Sequence, residues 1–263
     1  MRTIVLSLFA VLILATSCKK DKALVLSPEA SFKFDGNSSS SLTIGPYDQW
    51  PLINTSVNAD TYVWDFGNGT TSTQKEAVLQ YTSAGTYTVT LTASINGKTS
   101  VATKKVTVVD PVIKQVVVSG LSWNSGWNRP ASWPTFSKAN VWVEIVKGAP
   151  GQTYSVLSNG SIAAPLIYKS NIANNVDSTS VPLTFAVPQK TVIDIPTLKQ
   201  QFGYNGVGYG INLYAQDATG TYLLASNFWS GVSTTYQGSY AGNKFTVSMG
   251  VLGFAVQLSG NYE

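Results

Sequence analysis

Residues Thr86-Tyr87-Thr88-Val89-Thr90-Leu91-Thr92-Ala93 alternate threonine with apolar side chains without interruption. Successive side chains of an extended chain point to opposite faces, so Tyr87, Val89, Leu91 and Ala93 share one face and the threonines the other. This is a half-buried strand. Short alternating runs separated by turn signals continue from about Glu29 to Val109. Tyr62-Val63-Trp64-Asp65-Phe66 alternates likewise and runs into Gly67-Asn68-Gly69, whose Asn-Gly pair tolerates the positive φ angles of a tight hairpin. Gly85 and Asn96-Gly97 mark two further turns, and Val101 to Val109 supplies a closing strand.

Composition supports an all-β reading and narrows the chemistry. Only 11% of the residues are charged, while Thr, Ser, Asn, Gly and aromatics are plentiful, as in secreted β proteins with polar, uncharged faces. The formal net charge of +4 is spread thinly and leaves no basic patch for nucleic acid. Histidine is absent from the sequence, which removes the commonest general base and the favoured zinc ligand. With a single cysteine there is no intrachain disulfide and no Cys–His pair. Asp177, Asp194 and Asp217 stand singly in turn-like contexts, where Asp bonds its own backbone. No catalytic residue, metal site or cofactor is expected.

Asn54-Thr55-Ser56, then Tyr62-Val63-Trp64-Asp65-Phe66-Gly67-Asn68-Gly69, then Tyr81-Thr82-Ser83-Ala84-Gly85-Thr86-Tyr87-Thr88-Val89-Thr90-Leu91 resemble, in order and spacing, the polycystic kidney disease (PKD) domain, an immunoglobulin-like β-sandwich. The family often has Asp where Asn68 stands and His-Thr-Tyr where Leu79-Gln80-Tyr81 stands; both departures fall in turn or edge chemistry. The resemblance implies structural roles for Trp64, Asp65, Gly67, Gly69, Gly85 and Tyr87: Trp64 would fill the core, and Asp65 would bond the turn it precedes. It also implies a spacer or interaction module, since fold alone names no ligand.

Asp110-Pro111 breaks the closing strand and opens a composition richer in Trp, Tyr and Asn. The expected division is therefore 1–17 signal, 18–28 polar tether, 29–109 PKD-like β-sandwich and 110–263 a second β-sandwich. Strands are expected at Ile113–Val118, Val141–Val146, Thr153–Leu157, Leu183–Val187, Gly210–Ala215, Tyr222–Ser226, Lys244–Met249 and Phe254–Leu258. A short helix is expected at Ile195–Gly203, capped by Asp194 or Ile195. Val141–Ile145 and Gly210–Asp217 loosely resemble strands of calcium/lipid-binding sandwiches of the C-two type. The aspartate clusters that hold calcium in that family are missing, so its metal chemistry is not carried over.

The segment from Trp123 to Pro134 places Trp123, Trp127 and Trp133 among Gly, Pro, Asn and Arg. Two readings stand. The indoles fold back as a lid on one end of the sandwich, because Trp is well buried on average. Or they form a platform whose flat faces, with neighbouring Asn and Arg side chains, suit a sugar ring or a protein partner. Trp142 and Glu144 face away from Val141, Val143 and Ile145 on one strand, so Trp142 either packs on the neighbouring module or meets a ligand.

The N-terminus carries an address. Met1-Arg2, an apolar run from Ile4 and the end Leu14-Ala15-Thr16-Ser17-Cys18 describe a secretory signal too short to span a bilayer. The cysteine after small residues resembles the lipobox of bacterial lipoproteins, which implies cleavage before Cys18 and lipid on its thiol. Lys19-Lys20-Asp21-Lys22 is similar to the tether of Bacteroidetes-like lipoproteins. The expected location is the cell envelope, lipid-anchored at the outer membrane. The sequence reads as a non-catalytic lipoprotein that displays β-sandwiches for adhesion or glycan binding. Its rival is an assembly lipoprotein docked on an outer-membrane complex, and a glycoside hydrolase is a distant third.

Overall fold

The computed structural model describes residues 26–263 except 122–137, 150, 156, 159–160, 195–196, 198–207, 227–232, 241 and 252–253. Cys18, Trp123, Trp127, Trp133 and most of the expected Ile195–Gly203 helix lie outside the described residues. The architecture is all β, built as two modules with separate hydrophobic cores.

The first module runs through β1 (Phe32–Phe34), β2 (Ser41–Ile44), β3 (Gln49–Asn54), β4 (Thr61–Asp65), β5 (Thr71–Ser72), β6 (Ala77–Gln80), β7 (Gly85–Ile95) and β8 (Lys98–Val108). A sheet of order β1-β3-β6 faces one of order β2-β8-β7-β4-β5, in which β2 pairs with β8 in parallel. The long β7–β8 hairpin turns at Asn96 and Gly97, with φ of 48° and 78°. Two adjacent left-handed residues match the twist of the flanking strands, which is why Asn-Gly serves there.

Alternation in β4 and β7 sends Trp64, Val89 and Leu91 into the core. Trp64 is fully buried, meets Phe32 edge-on at 5.1 Å, and donates its indole N–H to the Gln74 carbonyl at 2.9 Å. Its single polar atom is thus satisfied, as burial requires. The turn after β4 differs from the expected Asn-Gly hairpin. Gly67 and Gly69 take the left-handed conformation, at 75° and 86°, whereas Asn68 does not. With two glycines supplying positive φ, the Asn68 side chain is left to accept bonds from the Thr70 N–H and hydroxyl, at 3.1 and 2.6 Å.

The second module comprises β9 (Pro111–Leu121), β10 (Ala139–Gly148), β11 (Leu166–Lys169), β12 (Ala173–Val176), β13 (Leu183–Val192), β14 (Gly208–Gln216), β15 (Thr221–Ser226), β16 (Ser233–Ser239), β17 (Lys244–Val251) and β18 (Phe254–Tyr262). One sheet has the order β13-β9-β18-β17-β16, the other β11-β10-β14-β15 with β12 also on β10. Between them lie inward residues of both sheets, among them Val116, Val118, Val141, Val143, Ile211, Leu213, Val256 and Leu258.

The described residues of Thr153–Leu157 are not a strand. β10 already has β14 on one side and β11 with β12 on the other, so it has no ladder to offer them. They belong instead to a loop closed by bonds from Leu157 N–H to the Ser161 carbonyl and from Ala163 N–H to the Ser155 carbonyl. The strands absent from the sequence reading, β11, β12 and β16, are short or polar and lack alternation. β12 even holds Asn175 at a φ of 56°.

Candidate binding surfaces

Around the turn after β4, the motif residues hold backbone. Asp65 accepts the Gly67 N–H at 2.8 Å. A Cβ on Gly67 would meet the Thr88 carbonyl at 2.7 Å. Tyr81 is buried and donates its hydroxyl to the Phe66 carbonyl at 2.8 Å; burial pushes its pKa up to about 12, with Tyr87 and Asp65 nearby adding to the rise. Tyr87 stacks on Tyr81 at 4.1 Å and donates to the Ser83 carbonyl, beside Gly85 at the start of β7. All of these bonds are internal.

Trp142 and Glu144 do lie on the face of β10 opposite the core residues Val143 and Ile145, yet Trp142 is only 7% exposed. Its direct cross-strand partner is Tyr214, whose ring is stacked on it at 5.4 Å, and Leu223 on β15 completes the cluster. The indole N–H donates to Glu144 at 3.0 Å. Glu144 in turn pairs across the ladder with Lys169, whose ammonium is 3.0 Å from the same oxygen and 5.0 Å from the Trp142 ring centroid. Burial raises the Tyr214 pKa against the opposing effect of a hydrogen bond with Ser161, a buried residue of the 149–165 loop. Trp142 therefore packs within its own module, against Tyr214 and Leu223 and beside the Glu144–Lys169 pair.

The single carboxylates sit in turns. Asp217 accepts from the Thr219 hydroxyl and N–H and from the Gly220 N–H, and Asp177 from Thr179 and Ser180. These bonds, the Thr179 and Thr219 hydroxyls foremost, hold both pKa values below the ordinary range. Asp194 accepts from the Thr197 N–H and hydroxyl, the pattern of a helix N-cap. Among the described residues, no group of three or more Cys, Asp and Glu could hold a metal ion. No described helix is long and apolar enough to cross a membrane.

The surface that the sequence reading missed lies between the modules. Val109 donates to the Ile44 carbonyl at the end of β2, and Asp110 exchanges two 2.8 Å backbone bonds with Glu263, so the connection into β9 is held from both sides. Gly45 lies so close to Tyr240 that a Cβ would stand 2.5 Å from its hydroxyl. That hydroxyl donates to Asp48, and the Tyr240 ring rests against Tyr262 at 4.4 Å. Beside this contact is a cleft of about 280 Å³, lined by Pro46, Tyr47, Asp48, Asp110, Lys147 and Val192 among others. Tyr47 is held at a φ of 67° by bonds from its N–H to the Tyr81 carbonyl and from the Gln80 amide to its own carbonyl, with 46% of the residue exposed. The left-handed conformation costs a residue with a Cβ about 1–2 kcal/mol. Gly45-Pro46 was readable as a turn; what it faces was not, because Tyr240 is 192 positions away.

The PKD-domain family model matches residues 52–109, the stretch that contains Trp64, the Gly67 turn and the Tyr81–Tyr87 stack. A solved structure of the PKD1 domain of the Vibrio cholerae metalloprotease PrtV is 32% identical, with 32% of this chain and 98% of that one covered and a TM-score of 0.26. This chain belongs to the PKD-domain family. The PKD1 domain of Vibrio anguillarum Epp is also similar, at 31% identity over 32% of this chain and 94% of that one, with a TM-score of 0.26. Among curated proteins, the pre-pro-metalloprotease PrtV of Vibrio cholerae serotype O1 (strain M66-2) is 51% identical over 45 residues. That stretch is 16% of this chain and 5% of the relative, so the chain spans a small fraction of that protease's length. In this PKD domain, the glycine-rich turn and the buried tryptophan serve the sandwich itself, and its contact with the second module is made by the β2–β3 turn.

Proposed function

We propose that this chain is a lipid-anchored, non-catalytic cell-envelope protein in which the PKD domain is a spacer and the second sandwich is displayed for glycan binding and adhesion. The observation that carries the reading is the placement of the two chain connections. On the N-terminal side, Glu29 bridges Val57 and Ala30 donates to Ser100, beside the Asn96-Gly97 end of the β7–β8 hairpin. The exit at Val109 lies at the other end, where Gly85 pairs with Val108. Each of these strands has 11 residues, which at the rise of an antiparallel strand separates the tether from the seam by about 35 Å. The chain thus enters the domain at one end and leaves it at the other, which supports a spacer role between an N-terminal anchor and the second sandwich.

The reading is tested by screening the purified full-length protein, in detergent, against an array of neutral and anionic oligosaccharides. Selective retention of a set of glycans is expected. Binding to none of them, with recovery in a stable complex with outer-membrane proteins instead, overturns the glycan reading in favour of an assembly role.

A further inference from the structure

We infer that the cleft between the PKD domain and the second sandwich is a glycan subsite that takes one neutral sugar unit; the inference rests on the glycan-binding reading above. Tyr47 is an aromatic residue kept in a left-handed conformation, with 46% of the residue exposed, in the lining of the cleft. Nothing in the core needs that conformation, since the Tyr47 ring is not part of the PKD core cluster. Strain of this kind persists where surrounding bonds impose it, and it gathers at ligand clamps. A flat ring face at the mouth of a cleft suits the C–H face of a sugar.

The polar groups complete the match. One oxygen of Asp48 is taken by the Gly45 N–H and the Tyr240 hydroxyl, while its other oxygen accepts no bond from a described residue. Asp110 lies 3.7 Å from Lys190, and Asp194 lies 4.0 Å from Lys147. The acids are thus spread over separate partners rather than gathered, and no described acid group could hold a metal ion. With Asp48, Asp110 and Asp194 against Lys147, the lining is net acidic, which repels anionic sugars, while its carboxylate acceptors suit the hydroxyls of a neutral one. About 280 Å³ is at the small end of ligand sites, which run from roughly 300 to 1,000 Å³, and so fits one ring of a longer glycan. Both modules line the cleft, so the subsite exists only in the joined pair.

The test uses the full chain, the same oligosaccharide array, and two variants. Tyr47→Gly removes the ring and relieves the backbone, so its melting temperature should stay equal or rise while apparent affinity falls at least tenfold. Val192→Trp fills the cleft and should abolish retention. Wild-type affinity in both variants overturns the subsite and leaves the broader glycan reading intact. A lower melting temperature in Tyr47→Gly, with retention kept in Val192→Trp, also overturns it. Retention of charged sugars alone contradicts the neutral ligand, and retention of none by the wild type ends both readings.

Discussion

The hydroxyl of Tyr240 donates to the carboxylate of Asp48 across 192 positions of sequence, joining the second sandwich to the turn between β2 and β3 of the PKD domain. The Val109–Ile44 bond and the paired Asp110 and Glu263 backbones anchor the two sides of the chain connection beside it.

Removing that hydroxyl should uncouple the modules. A hydrogen bond to a charged group contributes about 1.5–3 kcal/mol, so Tyr240→Phe is expected to split one calorimetric transition into two. Gly45→Val should do the same by pushing Tyr240 away from Asp48, since the added Cβ begins 2.5 Å from the hydroxyl. A single unshifted transition in both variants would show that the seam does not depend on this contact.

Trp64→Ala truncates a fully buried indole and leaves a cavity, at a cost of about 3–5 kcal/mol. The PKD domain should melt earlier while the second sandwich holds, because their core clusters share no residue. Chemical denaturation followed by near-ultraviolet circular dichroism checks this, and a wild-type midpoint would refute the core role.

Gly67→Ala puts a Cβ against the Thr88 carbonyl in a left-handed turn, so it should destabilise the PKD domain by at least the roughly 1–2 kcal/mol of backbone strain. Gly69→Ala has the same strain but open space around it, and should be the milder of the two. Equal midpoints for the two variants would remove the clash from the explanation.

Burial pushes the Tyr81 and Tyr209 hydroxyls up to about 12. Tyrosines of the unfolded chain release their protons near pH 10. Between pH 10 and 12 the unfolded state therefore holds fewer protons than the native one, and stability falls as pH rises. Below pH 10 this contribution is present in full. Denaturant midpoints across the alkaline range should decline from about pH 10, and Tyr81→Phe should flatten the decline; a midpoint that rises with pH contradicts it.

Period-two alternation made most strands of both modules legible, because one face of each packs on a core: Val89 and Leu91 on β7, Val141 and Val143 on β10. It misread Thr153–Leu157, whose residues alternate although β10 has no free edge for them, and it passed over β12, where Asn175 breaks the pattern. The face that carries Trp142 was visible from β10 alone. Its enclosure was not, since Tyr214, Leu223 and Lys169 arrive from three other strands. The seam was the least legible feature: Gly45, Asp48 and Tyr240 are ordinary residues until the two modules meet.

Under the proposed function, a lipid on Cys18 holds a glycan-binding arm on a membrane. Its most direct test is capture of membrane fragments by beads coated with the oligosaccharide that the array selects. Fragments from cells making the wild-type chain should be captured; those from cells making Cys18→Ala should not, while the released Cys18→Ala protein still binds the beads. Equal capture from both cells, or none from the wild type, would contradict a lipid-held glycan-binding arm.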